Sequence, residues 1–195
     1  MVKPLYHKAW EVLNFHLSLQ YESEFAENFF MTLPKRKSNR LKNYDYSQNG
    51  AYFITICVQD RKPILSRIPV GEGLAPPEPV LLSFGKIAQK QLLDLQNRYR
   101  NISVDRYVIM PNHIHILMRL DTAGRASPSP TTVSDIVRVF KSLTTRECRK
   151  VSSIEKLFQR SFYDHIIRDE YDYQTKWQYI DENPAKWCED SLYVE

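Results

Sequence analysis

The sequence predicts an α+β domain, an antiparallel sheet flanked by helices. Three observations carry this expectation. Segments of strand and helix character follow one another in the order strand, helix, strand, strand, helix, strand, helix. Two consecutive strand segments are separated only by a Pro-Asn break, too short for a crossover. The composition, 43% hydrophobic and 26% charged over 195 residues, is that of one globular domain with enough apolar residues for a core.

Each element rests on its own pattern. Segment 51–58, AYFITICV, is β-branched and aromatic and reads as a buried strand. Between 83 and 98, Phe84, Ile87, Ala88, Leu92 and Leu95 recur close to helical spacing. Segment 102–110, ISVDRYVIM, returns to strand character. Pro111 and Asn112 break it, and 113–120, HIHILMRL, follows a two-residue period. From 132 to 150, Ile136, Val137, Phe140 and Leu143 form the stripe of a helix whose N-cap is Thr132 or Ser134. Segment 157–168 is ambiguous, with FYDHII favouring a strand. The last element, 169–183, is a helix opened by Asp169, Glu170 and Asp172, which suit the positive end of its dipole, and ended by Pro184. Polar or proline-rich stretches at 31–50, 69–79 and 121–130 read as connections. The order matches ferredoxin-like palms in outline.

Formal net charge is +4, and Lys35, Arg36, Lys37, Arg40 and Lys42 crowd into one short stretch. Such a cluster suits a polyanion such as nucleic acid, although a solvated arm has the same composition. Cys57, Cys148 and Cys188 are far apart and form no Cys-x-x-Cys pair, so they suggest neither a thiolate zinc site nor a disulfide framework and point to a reducing cytoplasm. No apolar run approaches the roughly 18 residues that span a bilayer. Residues 1–30 interrupt their apolar positions with His7, Glu11, His16, Glu22, Glu24 and Glu27, unlike the core of an export signal.

The candidate chemistry lies in two places. Strand alternation puts His113, His115, Leu117 and Arg119 on one side and Ile114, Ile116, Met118 and Leu120 on the other. The apolar side belongs to the core, so both imidazoles project from the opposite face, roughly 7 Å apart at the backbone, and can converge on one divalent ion. A His-x-His alone is a weak signal, since metal-free pairs on a half-exposed sheet are commoner. On the last helix, Tyr173, Trp177 and Ile180 form the buried stripe, while Asp172, Lys176, Tyr179 and Asn183 gather on another. Tyr179 and the Asn183 amide are therefore neighbours one turn apart. A hydroxyl there is either an oxygen nucleophile beside a metal ligand or a tyrosine hydrogen-bonding at a helix end.

Taken together these segments resemble the HUH single-tyrosine transposases and, within them, the REP-associated tyrosine transposases. The resemblance rests on VIMPNHIHILM (108–118), FKSLTTR (140–146), FQRSFYDHIIRDEYDY (158–173), YIDENPAKW (179–187) and RKSNRLKNYDYSQNGAYFITIC (36–57). It covers most of the chain from about residue 31. It implies one palm-type HUH domain over 51–195, preceded by a basic arm, 31–50, and an N-terminal extension, 1–30, that matches nothing in the family, so that Met31 is a candidate natural start. It implies that His113 and His115 bind the metal, that Asn183 is the third ligand and that Tyr179 is the nucleophile. The reaction implied is cleavage and rejoining of single-stranded DNA beside hairpins, through a 5′-phosphotyrosine and with Mg²⁺ or Mn²⁺.

For DNA contacts the candidates are Lys35, Arg36, Lys37, Arg40, Lys42, Arg138, Lys141 and Arg149, with Tyr44, Tyr46 and Tyr52 as stacking or packing residues. His165 and Lys176 are candidates for orienting the site, His165 more readily structural. The resemblance also implies a cytoplasmic, nucleoid-associated monomer, although related insertion-sequence enzymes form dimers. Two other readings stay open on the sequence: a nucleic-acid-binding module without catalysis, and a zinc hydrolase using the His113–His115 pair, with His165 as a candidate further ligand, around a bound water.

Overall fold

The computed structural model describes residues 44–69, 77–121 and 131–194. Its centre is a four-stranded antiparallel sheet of β1 (Gly50–Cys57), β4 (Ile102–Ile109), β5 (His113–Leu120) and β6 (Tyr163–Ile167), in the order β4-β5-β1-β6. A two-stranded ribbon, β2 (Ser66–Arg67) and β3 (Val80–Leu81), precedes α1 (Ser83–Leu93) and the short α2 (Leu95–Arg98). Helix α3 (Val133–Arg149) leads to β6, and α4 (Glu170–Glu182) follows it. β5 lies between β1 and β4, which makes β1-α1-β4 a split βαβ unit and the whole a ferredoxin-like α+β fold.

Local chemistry accounts for the boundaries. The break at Pro111-Asn112 is a two-residue hairpin turn, closed by the Met110 N–H donating to the His113 carbonyl at 2.9 Å. Of the two N-cap candidates for α3, Thr132 is used, in a reciprocal capping box with Asp135. Asp169 caps α4, its carboxylate accepting from the Asp172 N–H at 2.8 Å. The helix expected over 83–98 is divided at Asp94, where the turn tightens and the side chain accepts from Asn97. Within 157–168 only Tyr163–Ile167 forms strand, with Phe158 making one bridge to Val58. Between these, the Lys141 ammonium donates to the carbonyls of Gln159 at 2.5 Å and Arg160 at 2.9 Å, tying the irregular stretch to α3.

The sheet is covered on both faces. On one, Ile54, Ile56, Ile114, Ile116 and Met118 pack against α1 and α3 through Leu92, Ile136 and Phe140. Tyr44 and Tyr46 pack against this cluster, the Tyr46 and Tyr52 rings stacked 6.2 Å apart. On the other face Phe53, Val108, Met110 and Leu117 pack against Ile180 of α4, with Tyr173, Trp177 and Trp187 around them. Alternation alone made this face look polar and half-open. It is a second core, and it buries the imidazoles. Among the described residues no helix is long and apolar enough to cross a membrane.

Candidate active site

Register sets the site. His113 sits opposite Cys57 and His115 opposite Thr55 in the β1–β5 pair. Both imidazoles therefore point from the centre of the sheet toward α4. They are 0% and 3% exposed, and each has its Nδ1 engaged. His113 Nδ1 lies 2.8 Å from Asn112 Oδ1, and His115 Nδ1 lies 2.8 Å from Thr55 Oγ1. The Asn112 amide is itself oriented, its Nδ2 donating to the Leu192 carbonyl at 2.7 Å. An amide oxygen only accepts, so His113 carries its proton on Nδ1 and turns the Nε2 lone pair inward. The two Nε2 atoms are 3.0 Å apart. Two nitrogens each about 2.1 Å from one ion, at right angles, would be separated by about 3 Å.

Burial pushes the pKa of His113 down to about 4, with the Arg61 charge adding to the effect and the Asp190 carboxylate opposing it. Burial, then His113 and Lys176, push His115 well down too. Both rings are neutral near pH 7, the form that ligates metals.

Helix α4 brings oxygen donors over these nitrogens. Asn183, just beyond its last residue, is 4% exposed, and its Oδ1 is buried without a hydrogen-bond partner among the described residues. An unpaired buried acceptor costs about 1–3 kcal/mol, a deficit that a cation relieves. The Asn183 Nδ2 donates to Asp190 Oδ2 at 3.0 Å. Asp190 was not anticipated. Its carboxylate, 3% exposed, lies 3.8 Å from His113 Nε2 and accepts the Leu192 N–H. His113, His115 and Asp190 hold ligand atoms within 4.8 Å of one another. The donor set, two nitrogens with an amide and a carboxylate oxygen, fits a divalent ion of borderline softness.

Tyr179 stands at the open side of this cluster. Its ring meets His115 edge-on at 5.2 Å and Phe53 at 5.7 Å between centroids, yet the residue remains 42% exposed. Partial burial and the Asp190 charge raise its pKa, with the Asn183 amide partly offsetting them. Trp187 packs against His113 from the tail, 5.9 Å between ring centroids.

Other expected residues lie elsewhere. His165 Nε2 is bound to both carboxylate oxygens of Asp172, at 2.8 and 2.9 Å, and ties β6 to the first turn of α4. Among the described residues it does not belong to the ligand cluster. Lys176 lies over the Phe53 ring, its Nζ 5.5 Å from the centroid. Arg138, Lys141 and Arg149 are on α3, across the sheet from the histidines. Arg138 pairs with Asp135, Lys141 caps the 159–161 turn, and Arg149 donates to the Glu155 carbonyl. Lys35, Arg36, Lys37, Arg40 and Lys42 lie outside the described residues.

The chain was compared with known proteins. No protein-family model matches it. An uncharacterized protein of Haemophilus influenzae is 34% identical over 175 residues, spanning 82% of this chain and 94% of the relative. A second H. influenzae protein, named "Putative REP-associated tyrosine transposase", is 26% identical over 75% of this chain and 77% of its own length. A solved structure of a REP-associated tyrosine transposase bound to a REP hairpin has the same fold, with a TM-score of 0.54 at 19% identity over 75% of this chain and 73% of that one.

Proposed function

We propose that the chain is a REP-associated tyrosine transposase, a reading supported by the 26% identical relative of that name and by the shared fold, and that it cleaves and rejoins single-stranded DNA beside short hairpins, with Tyr179 as nucleophile. The observation that carries this reading is the pairing of exposure and contact at Tyr179. A tyrosine that is 42% exposed stands with its ring edge-on to His115, beside neutral nitrogen and oxygen donors.

Attack forms a bond from Tyr179 Oη to phosphorus and breaks the bond from phosphorus to the 3′ oxygen. The phenol gives up one proton and the departing 3′ oxygen takes up one. The products are a 5′-phosphotyrosine ester and a free 3′-hydroxyl. One phosphoester replaces another, so a different 3′-hydroxyl can reverse the step and join two ends without a nucleotide cofactor. His113, His115 and Asn183 are the proposed ligands of a divalent ion, Mg²⁺ or Mn²⁺, with Asp190 as an added carboxylate; the ion supplies neutralisation of developing charge at a phosphate oxygen. The protein's part is positional. Asn112 and Thr55 fix the two rings, Phe53 seats the tyrosine, and Trp187 shields His113 from water.

The solved relative holds a REP hairpin, and a hairpin with a single-stranded flank is the substrate class we extend to this chain, with the basic arm 31–50 on its backbone. The zinc-hydrolase alternative loses His165 as a further ligand, since His165 is committed to Asp172, and it leaves Tyr179 without a role.

Incubating the protein with such a hairpin, with and without Mn²⁺, tests the proposal. The expected result is a denaturation-resistant protein–DNA adduct that requires the metal and disappears in Tyr179→Phe, while DNA binding persists. Cleavage by Tyr179→Phe at the wild-type rate would sink it. Strand cutting without an adduct would favour a water nucleophile, and binding with neither would favour a non-catalytic module.

A further inference from the structure

Two cations near the site take no part in the chemistry above, and they stand at opposite ends of it. Along the α4-facing side of β1 the order is Phe53, Thr55, Cys57, then the 3₁₀ turn Gln59–Arg61. Lys176 lies over Phe53, His115 is opposite Thr55, and His113 is opposite Cys57. At about 3.3 Å per residue, Phe53 and Cys57 are roughly 13 Å apart. Lys176 and the turn carrying Arg61 therefore flank the histidines and Tyr179 along one line.

Both side chains are available. Lys176 is one turn before Tyr179 and half-buried, its stem packed on the aromatic ring; Arg61 is exposed. Among the described residues no carboxylate is within ion-pair distance of either.

The backbone at Arg61 is the less ordinary observation. Asp60 and Arg61 both have left-handed φ angles, 58° and 53°. Aspartate tolerates that region, but a long unbranched side chain gains nothing from it. The turn is held from three sides. The Val58 N–H donates to the Asn112 carbonyl at 2.8 Å, the Gln59 N–H to the Leu157 carbonyl at 2.8 Å, and the Arg61 N–H to the Val58 carbonyl at 3.1 Å. Strain so firmly held belongs with sites where a side chain must be aimed. Asn112 is also the residue that orients His113, so the turn and the ligand share one support. The positive charges reach the rings: Arg61 adds to the downward push on His113, and Lys176 to that on His115.

We propose that Arg61 and Lys176 are positioning residues that grip backbone phosphates on either side of the scissile one, so that the single strand crosses the site along β1 from one cation to the other. The inference rests on the transposase reading for the identity of the ligand. Its test uses binding alone and does not depend on cleavage.

The probe is a fluorescent oligothymidine strand, titrated over a series of salt concentrations into metal-free protein carrying Tyr179→Phe. Each phosphate contact on a single strand contributes about 0.7 to the slope of log K against log salt. Arg61→Gln and Lys176→Gln should each flatten the slope by about 0.7, and the double variant by about 1.4. Arg61→Lys and Lys176→Arg should restore it. Arg98→Gln, on the opposite layer, removes the same net charge and should leave the slope unchanged. An unchanged slope in either glutamine variant, or equal flattening in Arg98→Gln, would overturn the proposal. If the slopes fall as expected but no adduct forms in the unsubstituted protein, the strand path stands and the chemistry does not. If the adduct forms and the slopes are unchanged, the reverse holds.

Discussion

His113 and His115 are neutral because they are buried, and that neutrality has a consequence for stability. The pKa of His113 is lowered to about 4 in the folded chain, from the ordinary 6.5 of an exposed imidazole. Between those values the unfolded chain binds a proton that the folded chain does not, so acid favours unfolding. Stability contributed here is fully present above pH 6.5 and is lost as pH falls toward 4. Thermal melts of the metal-free protein should therefore drop over that window, and His113→Asn should flatten the dependence. A His113→Asn profile as steep as the wild type would contradict the assignment. The pairing of these imidazoles was legible in the sequence, because period-two alternation in HIHILMRL is a strong geometric statement. Their burial was not legible, since alternation cannot report that α4 covers the second face. Asp190 was missed for a different reason. It lies beyond Pro184 in a 3₁₀ tail without periodicity, and only the contact of that tail with Asn112 and Asn183 brings its carboxylate to the histidines.

At the scale of elements, the helix that carries Tyr179 is weakly anchored. Within α4 only Ile180 is fully buried; a side chain of that kind contributes about 1.5–3 kcal/mol. Tyr173 and Trp177 pack around it half-buried, and polar contacts tie the helix to β4. Asp105, at the bulge between Val104 and Arg106, accepts the Tyr173 hydroxyl at 2.9 Å, two bonds from Arg119 and one from Ser103. Nearer the other end, Arg106 meets Asp181 at 2.6 Å, with both side chains more than a third exposed. These two attachments should differ in strength. Asp105→Ala should destabilise the fold by about 1–3 kcal/mol, mainly by leaving the Tyr173 hydroxyl without its acceptor. Arg106→Gln should cost under about 1 kcal/mol, as exposed pairs do. Denaturant titration measures both, and equal losses would show that burial at Asp105 is not what matters. Period and caps made α3 and α4 readable from the sequence. Segment 157–168 was only half readable, because its first half is held by contacts from elsewhere in the chain, the Lys141 ammonium and the Val58 bridge, and carries no period of its own. The β2–β3 ribbon is too short for any period.

At the scale of the whole fold, the sheet order and the helical layers of the described residues form a ferredoxin-like arrangement whose central strands hold the candidate site. If His113, His115 and Asn183 are joined there by a metal only in the folded state, the metal must stabilise that state. At a concentration about 100-fold above the dissociation constant the gain is about 2.7 kcal/mol. For a chain of this size that is a rise of roughly 5–10 °C in Tm. A melt with Mn²⁺ should show it, His113→Ala combined with His115→Ala should abolish it, and an equal rise in that double variant would place the ion elsewhere. The claim on which the account turns is narrower, namely that Tyr179 becomes joined to DNA. Trypsin separates it from its neighbours, because Trp177 to Lys186 carries Tyr179 alone, while Tyr171 and Tyr173 fall in the preceding peptide, Asp169 to Lys176. The direct measurement is peptide mass mapping of the adduct formed with the hairpin strand and Mn²⁺. The account predicts a nucleotide phosphate on the Trp177–Lys186 peptide and nowhere else; a phosphate on the Asp169–Lys176 peptide, or a cut strand with no modified peptide, would contradict it.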